Sequence, residues 1–293
     1  MASAALDTVA VAEIAVTKLH PHIGAEIRGA DLSRPLDRAT LDQIRNAWHA
    51  HTVLLFRDQD LSEDDQRRFA SYFGPVATRV KPPPGAKRND GPDWTDLMMI
   101  TDRVDADGKA VGALGHGEMW FHTDKCYHPR PHRASFLYGI EIPSAGGHTK
   151  FASLYAAYDN MADDLKWRLG DAMVMQGHEY GVGRRIRLDV SLESIHHCIQ
   201  PIVVTNPGSG RKGLYVARQN TMWIEGMDRA ESDALLERLF ELTEDPAIVY
   251  QHIWRPGDLL MWDNLACLHA RTDWPRSETR TLRRCTVEGD RLW

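Results

Sequence analysis

Two periodicities govern the apolar positions of this chain. Leu41, Ile44 and Trp48 recur at helical spacing behind Asp37, a residue suited to capping, and residues 52–56 then run β-branched and aromatic as a short strand. Ser62 followed three residues later by Asp65 has the form of a capping box and opens a second helix through Phe69. The pattern then breaks. Residues 81–94 hold Pro82, Pro83, Pro84, Gly85, Gly91 and Pro92, which no regular element tolerates, so a long loop is expected, extending to Asp107 around one strand at 97–100. Connections of that length usually carry function or motion, and residues 79–118 are read as a loop or lid region.

Strand-like runs return over 120–151, most clearly at 134–142, and helical spacing follows over 154–169. Asp228 and Glu231 open a further helix with Leu235, Leu239 and Leu242 as one stripe. The C-terminal part is β again, at 250–254, 259–262 and 279–287, with a Pro256-Gly257-Asp258 turn between the first two. No repeat or shift of composition divides the chain. The expected architecture is mainly β with flanking helices, a single domain over 1–293 with a helix-bearing insertion at 153–249 and an unstructured start at 1–13.

Composition narrows the partners. The 293 residues are 43% hydrophobic and 26% charged, which suits an ordinary globular chain. Thirty-five basic against 41 acidic residues leave a net charge of −6, so no global cationic field exists to gather nucleic acid or an anionic membrane. No run approaches the roughly 18 apolar residues of a membrane span, and Asp7 and Glu13 interrupt the start where a secretory signal would be apolar. A cytoplasmic protein is the expectation. The four cysteines, Cys126, Cys198, Cys267 and Cys285, form no C-x-x-C pair, which argues against a disulfide framework or a thiolate zinc site.

Fourteen histidines turn attention to metals, and two stand out by placement. His122-Thr123-Asp124 sets a histidine and a carboxylate two residues apart, which on an extended chain puts both on one face about 6.6 Å apart at Cα. His269 follows the strand at 259–262, and beyond it Arg280, Leu282 and Arg284 share one face of the last strand. Two arginines beside a core leucine each require an anion, and a guanidinium grips a carboxylate through two parallel hydrogen bonds. Two histidines and one carboxylate suit a non-heme Fe(II) that activates O2, with zinc as the second choice. His116, His128, His132 and the His196-His197 doublet take the ordinary reading of solvent-facing or supporting residues. Trp120 or Phe121, beside the metal motif, is expected to line the pocket.

These residues, with Gly146-Gly147-His148-Thr149, the Trp262-Asp263-Asn264 lead into His269, Phe73-Gly74-Pro75-Val76 and the run from Asn206 to Val216, resemble the TauD/TfdA family of Fe(II)/2-oxoglutarate dioxygenases over nearly the whole chain. The resemblance implies a double-stranded β-helix, or jelly-roll, core and commonly a homo-oligomer, dimer or tetramer. It implies Fe(2+), 2-oxoglutarate and O2, with His122, Asp124 and His269 as iron ligands, Arg280 and Thr149 on the 2-oxoglutarate C5 carboxylate, and Arg284 on an anionic group of the prime substrate. It departs from the taurine-type enzymes where those grip a sulfonate: Arg79 and Pro82 replace a His and a Tyr, and Glu118 replaces an Asn. Arg79 and Lys81 would instead offer positive charge from the loop. A small anionic substrate hydroxylated beside a heteroatom, an aryloxyalkanoate-type carboxylate, is therefore expected, with an alkylsulfonate, amino acid or secondary metabolite as alternatives. A non-catalytic metal-binding jelly-roll protein is the reading from a different class, and two inward arginines argue against it.

Overall fold

The computed structural model describes residues 14–78, 96–180, 183–186 and 189–293. The expected disorder of 1–13, the proline-rich run and the positions of Arg79 and Lys81 lie outside the described residues. No described helix is long and apolar enough to cross a membrane.

The sheet that organises the molecule is built from runs buried on both faces. Strands β1 (Ala15–Lys18), β2 (Ala25–Arg28), β3 (Val53–Phe56), β4 (Leu97–Thr101), β6 (His132–Glu141), β14 (Leu259–Asp263) and β16 (Thr281–Glu288) form it in the order β1-β2-β3-β14-β6-β16-β4. Every residue of β3 and β14 is buried. Alternation divides their side chains between two cores. Leu54, Phe56, Phe136, Met261, Cys285 and Val287 meet helices α1 (Arg38–His51) and α2 (Glu63–Ser71) through Ile44, Trp48 and Phe69. Val53, Leu55, Leu137, Leu260, Trp262 and Leu282 point the other way, against Phe151 and Cys267. Those two belong to the facing sheet, β13 (Val249–His252), β7 (Thr149–Ser153), β15 (Cys267–Arg271) and β5 (Met119–His122), in that order. The two sheets enclose the jelly-roll interior, and the site sits at one end of it.

Local chemistry sets the helix ends. The Asp37 side chain accepts from Thr40 N at 2.8 Å, and Ser62 and Asp65 complete a reciprocal capping box. Between β7 and β13 the chain carries α3 (Leu154–Asp159), α4 (Asp163–Leu169) and α5 (Arg229–Thr243), but the insertion is not helical alone. It also holds a three-stranded sheet, β8 (Met173–His178), β9 (His196–Pro201) and β12 (Thr221–Ile224), and a hairpin, β10 (Val203–Thr205) with β11 (Lys212–Leu214). Met-Val-Met-Gln-Gly-His and His-His-Cys-Ile-Gln-Pro have little intrinsic strand preference, and their mutual pairing from Met173 to His178 makes them strands.

Three arginines lie on or just before β16, and each takes a different direction. Arg283 points to the helix side, where it donates to Gln66 Oε1 at 2.7 Å and to the carbonyls of Leu61 and Ser62 at 2.7 and 3.0 Å, pinning the start of α2. Arg284 points inward. Arg280, expected on the strand, lies just before β16, which begins at Thr281, and the register shifts between Thr281 and Leu282.

Candidate active site

Strand pairing brings the metal-binding residues together. His269 lies within β15 rather than past the end of a strand, and it pairs directly with His122, the last residue of β5, with ring centroids 4.0 Å apart. Asp124 comes from the turn that follows β5, so the convergence arises from a cross-strand pair and a turn, not from two side chains on one strand face. One ligand atom from each of His122, Asp124 and His269 lies within 4.8 Å of the others.

Hydrogen bonds and burial prepare each group to bind a cation. His122 Nδ1 donates to Trp120 O at 2.8 Å, which leaves Nε2 as the lone-pair nitrogen. Burial holds His122 below the usual histidine range and His269 well below it, against the opposing pull of Asp124, so both rings are neutral. His269 Nδ1 is buried without a hydrogen-bond partner. Burial pushes the Asp124 carboxyl up, but Arg284 and the two histidines outweigh it and hold the group far below the usual carboxylate range. Two neutral imidazoles and one ionised carboxylate make a donor set that fits Fe(II).

A buried relay fixes the carboxylate. Trp262 Nε1 donates to Asn264 Oδ1 at 2.9 Å, Asn264 Nδ2 to Ser135 Oγ at 2.9 Å, and Ser135 Oγ to Asp124 Oδ2 at 2.5 Å. Arg284 Nη1 takes the other oxygen, Oδ1, at 3.1 Å. The Trp-Asp-Asn lead hinted at Asn264, whereas nothing marked Ser135.

Arg280 is 2% exposed and, among the described residues, forms no ion pair. Its Nε donates to Gly147 O at 2.9 Å, its carbon Cζ lies 5.5 Å from the Trp274 ring, and burial together with neighbouring Arg271 pushes it down to about 9, still a cation at neutral pH. A buried, unpaired guanidinium is a carboxylate receptor. Thr149 Oγ1 accepts from Trp254 Nε1 at 3.0 Å, which leaves its own hydroxyl hydrogen to donate, and Gly147 O accepts from Arg280.

Arg271 was missed, although it stands two residues after His269 on the same strand face. Its guanidinium holds the carbonyls of Leu114, Gly115 and Gly117 and carries the loop leading into β5. That loop stacks His116 on Trp274 at 4.5 Å, with His116 Nε2 3.2 Å from Asp102 Oδ2.

His122, Asp124, Arg271 and Arg284 line a cavity of about 530 Å3 together with Met98, Leu114 and Met119, while His269 and Arg280 lie behind its lining. An aromatic wall completes it, with Tyr127 stacked on His178 at 4.5 Å and Tyr180 edge-on to His178 at 4.6 Å. Glu118 is exposed and reaches the cavity rim. Trp120 and Phe121 do not line this cavity. They line a separate one of about 340 Å3, to which Met119 also contributes.

The model of the family described as taurine catabolism dioxygenase TauD, TfdA family matches residues 15–286. The chain belongs to this family. It is an Fe(II)- and 2-oxoglutarate-dependent dioxygenase, an oxidoreductase that uses O2. Among its relatives, pentalenolactone F synthase of Streptomyces avermitilis is 33% identical over 280 residues, covering 89% of this chain and 90% of the relative. The (S)-phenoxypropionate/alpha-ketoglutarate-dioxygenase of Sphingobium herbicidovorans is 30% identical over 284 residues, covering 94% and 95%. A crystal structure of an alpha-ketoglutarate-dependent taurine dioxygenase homologue from Burkholderia xenovorans superposes with a TM-score of 0.77 at 28% identity, covering 95% of this chain and 91% of that one. The TauD/TfdA assignment and the jelly-roll core are therefore as the motifs implied.

Proposed function

We propose that this dioxygenase hydroxylates an aryloxyalkanoate-type carboxylate at the carbon beside its ether oxygen. The observation that carries the reading is the position of Arg284, an inward cation in the same cavity as His122 and Asp124 of the metal-binding triad, with the Tyr127, His178 and Tyr180 wall available to an aryl ring. The phenoxypropionate activity named for the Sphingobium relative supports it.

In this reading His122, Asp124 and His269 hold Fe(II), which when bound supplies oxygen activation coupled to the decarboxylation of 2-oxoglutarate to succinate and CO2. Arg280 holds the distal carboxylate of 2-oxoglutarate, with the hydroxyl of Thr149 beside it. Arg284 holds the substrate carboxylate and so selects the carbon that reaches the metal; Glu118 at the rim, with Arg79 and Lys81, contributes to substrate capture. One oxygen atom enters the C–H bond next to the ether oxygen, giving a hemiacetal that collapses to a phenol and a 2-oxo acid. Dry, fixed donors around the reacting carbon keep other bonds away from it. The chain acts in the cytoplasm as a dimer or tetramer, with residues 114–118, which lead into β5, along one side of the site. A secondary metabolite is the second reading, favoured by the pentalenolactone F synthase relative.

Succinate release screened over aryloxyacetates, alkylsulfonates and amino acids tests this. Stimulation by aryloxyacetates is expected, and stimulation by amino acids alone would overturn the substrate assignment. Anaerobic Fe(II) with 2-oxoglutarate should give a weak visible charge-transfer band that His122→Ala and Asp124→Ala abolish. Its persistence in both variants would leave the non-catalytic reading standing.

A further inference from the structure

Once the metal triad, Arg280 and Arg284 have their roles, one polar corner of the cavity is left over. It is centred on His132, the first residue of β6. Strands β6 and β16 pair Ala134 with Val287 and His132 with Glu288, so Arg133 is passed over in the register. Side chains alternate along a strand, and a skipped residue re-aims its neighbour. Arg133 goes to the helix side, with Cζ 4.8 Å from the Trp48 ring, and His132 turns inward to line the same cavity as Asp124 and Arg284.

There His132 is 7% exposed, and neither ring nitrogen has a hydrogen-bond partner among the described residues. The charged groups around it are already matched: Lys125 Nζ with Glu288 Oε2 at 3.1 Å, and Arg284 with Asp124 at 3.1 Å. A buried imidazole with two idle nitrogens costs stability, and cores rarely retain one without use. The use must lie in the cavity, because a donor aimed at a ligand is satisfied when the ligand arrives.

Resting on the reading that this cavity takes a carboxylate substrate, we propose that His132 is a second anchor for that carboxylate, donating an N–H to one oxygen while Arg284 holds the other. A carboxylate offers two coplanar oxygens, and a neutral donor beside one guanidinium fixes the plane of the group without adding charge. The carbon next to the ether oxygen is thereby held in one orientation towards the metal triad. His132 is a specificity-determining residue for this substrate class, and the register shift is the device that delivers it.

The test uses the full-length enzyme with Fe(II), 2-oxoglutarate and phenoxyacetate, comparing wild type with His132→Leu and His132→Gln. His132→Leu is expected to raise KM for phenoxyacetate on the order of tenfold to a hundredfold while KM for 2-oxoglutarate stays within about twofold. Removing an idle buried polar group should also raise Tm by about 2–4 °C. His132→Gln, which keeps a donor, should recover most of the lost affinity. An unchanged phenoxyacetate KM in His132→Leu overturns the proposal while leaving the carboxylate reading intact, and so does a parallel rise in both KM values with a lowered Tm, the mark of a structural residue. If wild type turns over no aryloxyacetate at all, the carboxylate reading falls and this inference falls with it.

Discussion

Asp124 and Arg284 form a buried ion pair, with Oδ1 and Nη1 3.1 Å apart, in which the carboxylate belongs to the metal-binding triad and the guanidinium to the substrate end of the cavity. Ser135 donates to Oδ2 and Arg284 to Oδ1, so a metal held by Asp124 would draw on the same carboxylate charge as Arg284. The pair therefore joins two binding events. A cation drawn to Asp124 weakens its hold on Arg284, and a guanidinium so released is a stronger receptor for the substrate anion.

Arg284→Met separates the roles of the two inward arginines. Arg280 lies before β16, and its guanidinium rests on Gly147 and Trp274, so its carboxylate site should survive the change. The charge-transfer band with 2-oxoglutarate is expected to persist, while KM for an aryloxyacetate rises at least about tenfold, the loss of a charge-assisted hydrogen bond. Titration of the band, set beside steady-state kinetics, measures both. Equal loss of both affinities would show that one arginine cannot be assigned to each ligand.

Ser135→Ala tests the relay behind the metal site. The hydroxyl donates to Asp124 Oδ2 at 2.5 Å and is itself fixed by Asn264 at 2.9 Å. Outer hydrogen bonds of this kind typically contribute tenfold to a hundredfold in metal affinity. Competition with a chelator should show a loss of that order with the fold intact by circular dichroism. Unchanged affinity would reduce Ser135 to a packing residue.

What could be read from the sequence follows from how locally each feature is encoded. His122 and Asp124 sit two residues apart, and the cap at Asp37 and the box at Ser62 are written within four residues, so each is legible without the fold. Ser135 serves Asp124 across 11 residues and Asn264 across 129, and only the pairing of β6 with β14 and β16 brings them together. The inward position of His132 is not legible in the sequence, where Pro129 and Pro131 beside it suggest a solvent-facing residue and strand alternation does not foresee a register shift. Strands β8 and β9 were hidden for a related reason: their polar, histidine-rich runs become strands through each other and not through propensity.

Gly147→Ala should damage the 2-oxoglutarate end. Gly147 has φ +63, and a Cβ there would meet Arg280 Cδ at 2.9 Å and Arg280 Nε at 3.0 Å. Strain in the left-handed region costs roughly 1–3 kcal/mol, and the clash displaces the guanidinium. Gly210→Ala is the control, since Gly210 has φ +69 with nothing within 4 Å of its would-be Cβ. Both variants should lose stability by denaturant titration, and only Gly147→Ala should also raise KM for 2-oxoglutarate. A matching rise in Gly210→Ala would trace the effect to general destabilisation.

Acid should destabilise the metal-free protein from about pH 6.5 downward, well before the depressed Asp124 carboxylate matters. Burial holds His132 at about 3, against the opposing pull of Asp124; burial and the neighbouring His122 and His196 hold His178 at about 3. In the unfolded chain both titrate near 6.5. Between those values the unfolded state binds more protons than the folded state, so stability is fully present above about pH 6.5 and is lost as pH falls towards 3. Each such histidine contributes a slope approaching about 1.4 kcal/mol per pH unit within that window. The stabilisation that Asp124 gains from its depressed carboxyl is lost only below the unfolded carboxylate value, near pH 4, so it does not contribute between pH 5 and 6.5. Denaturant titrations with chelator present, at pH 7, 6 and 5, should therefore show falling stability for wild type and a shallower fall for His132→Leu, which removes one of the histidines that burial keeps neutral, His122 and His269 being others. Parallel curves for the two proteins would mean that His132 is not held neutral by burial.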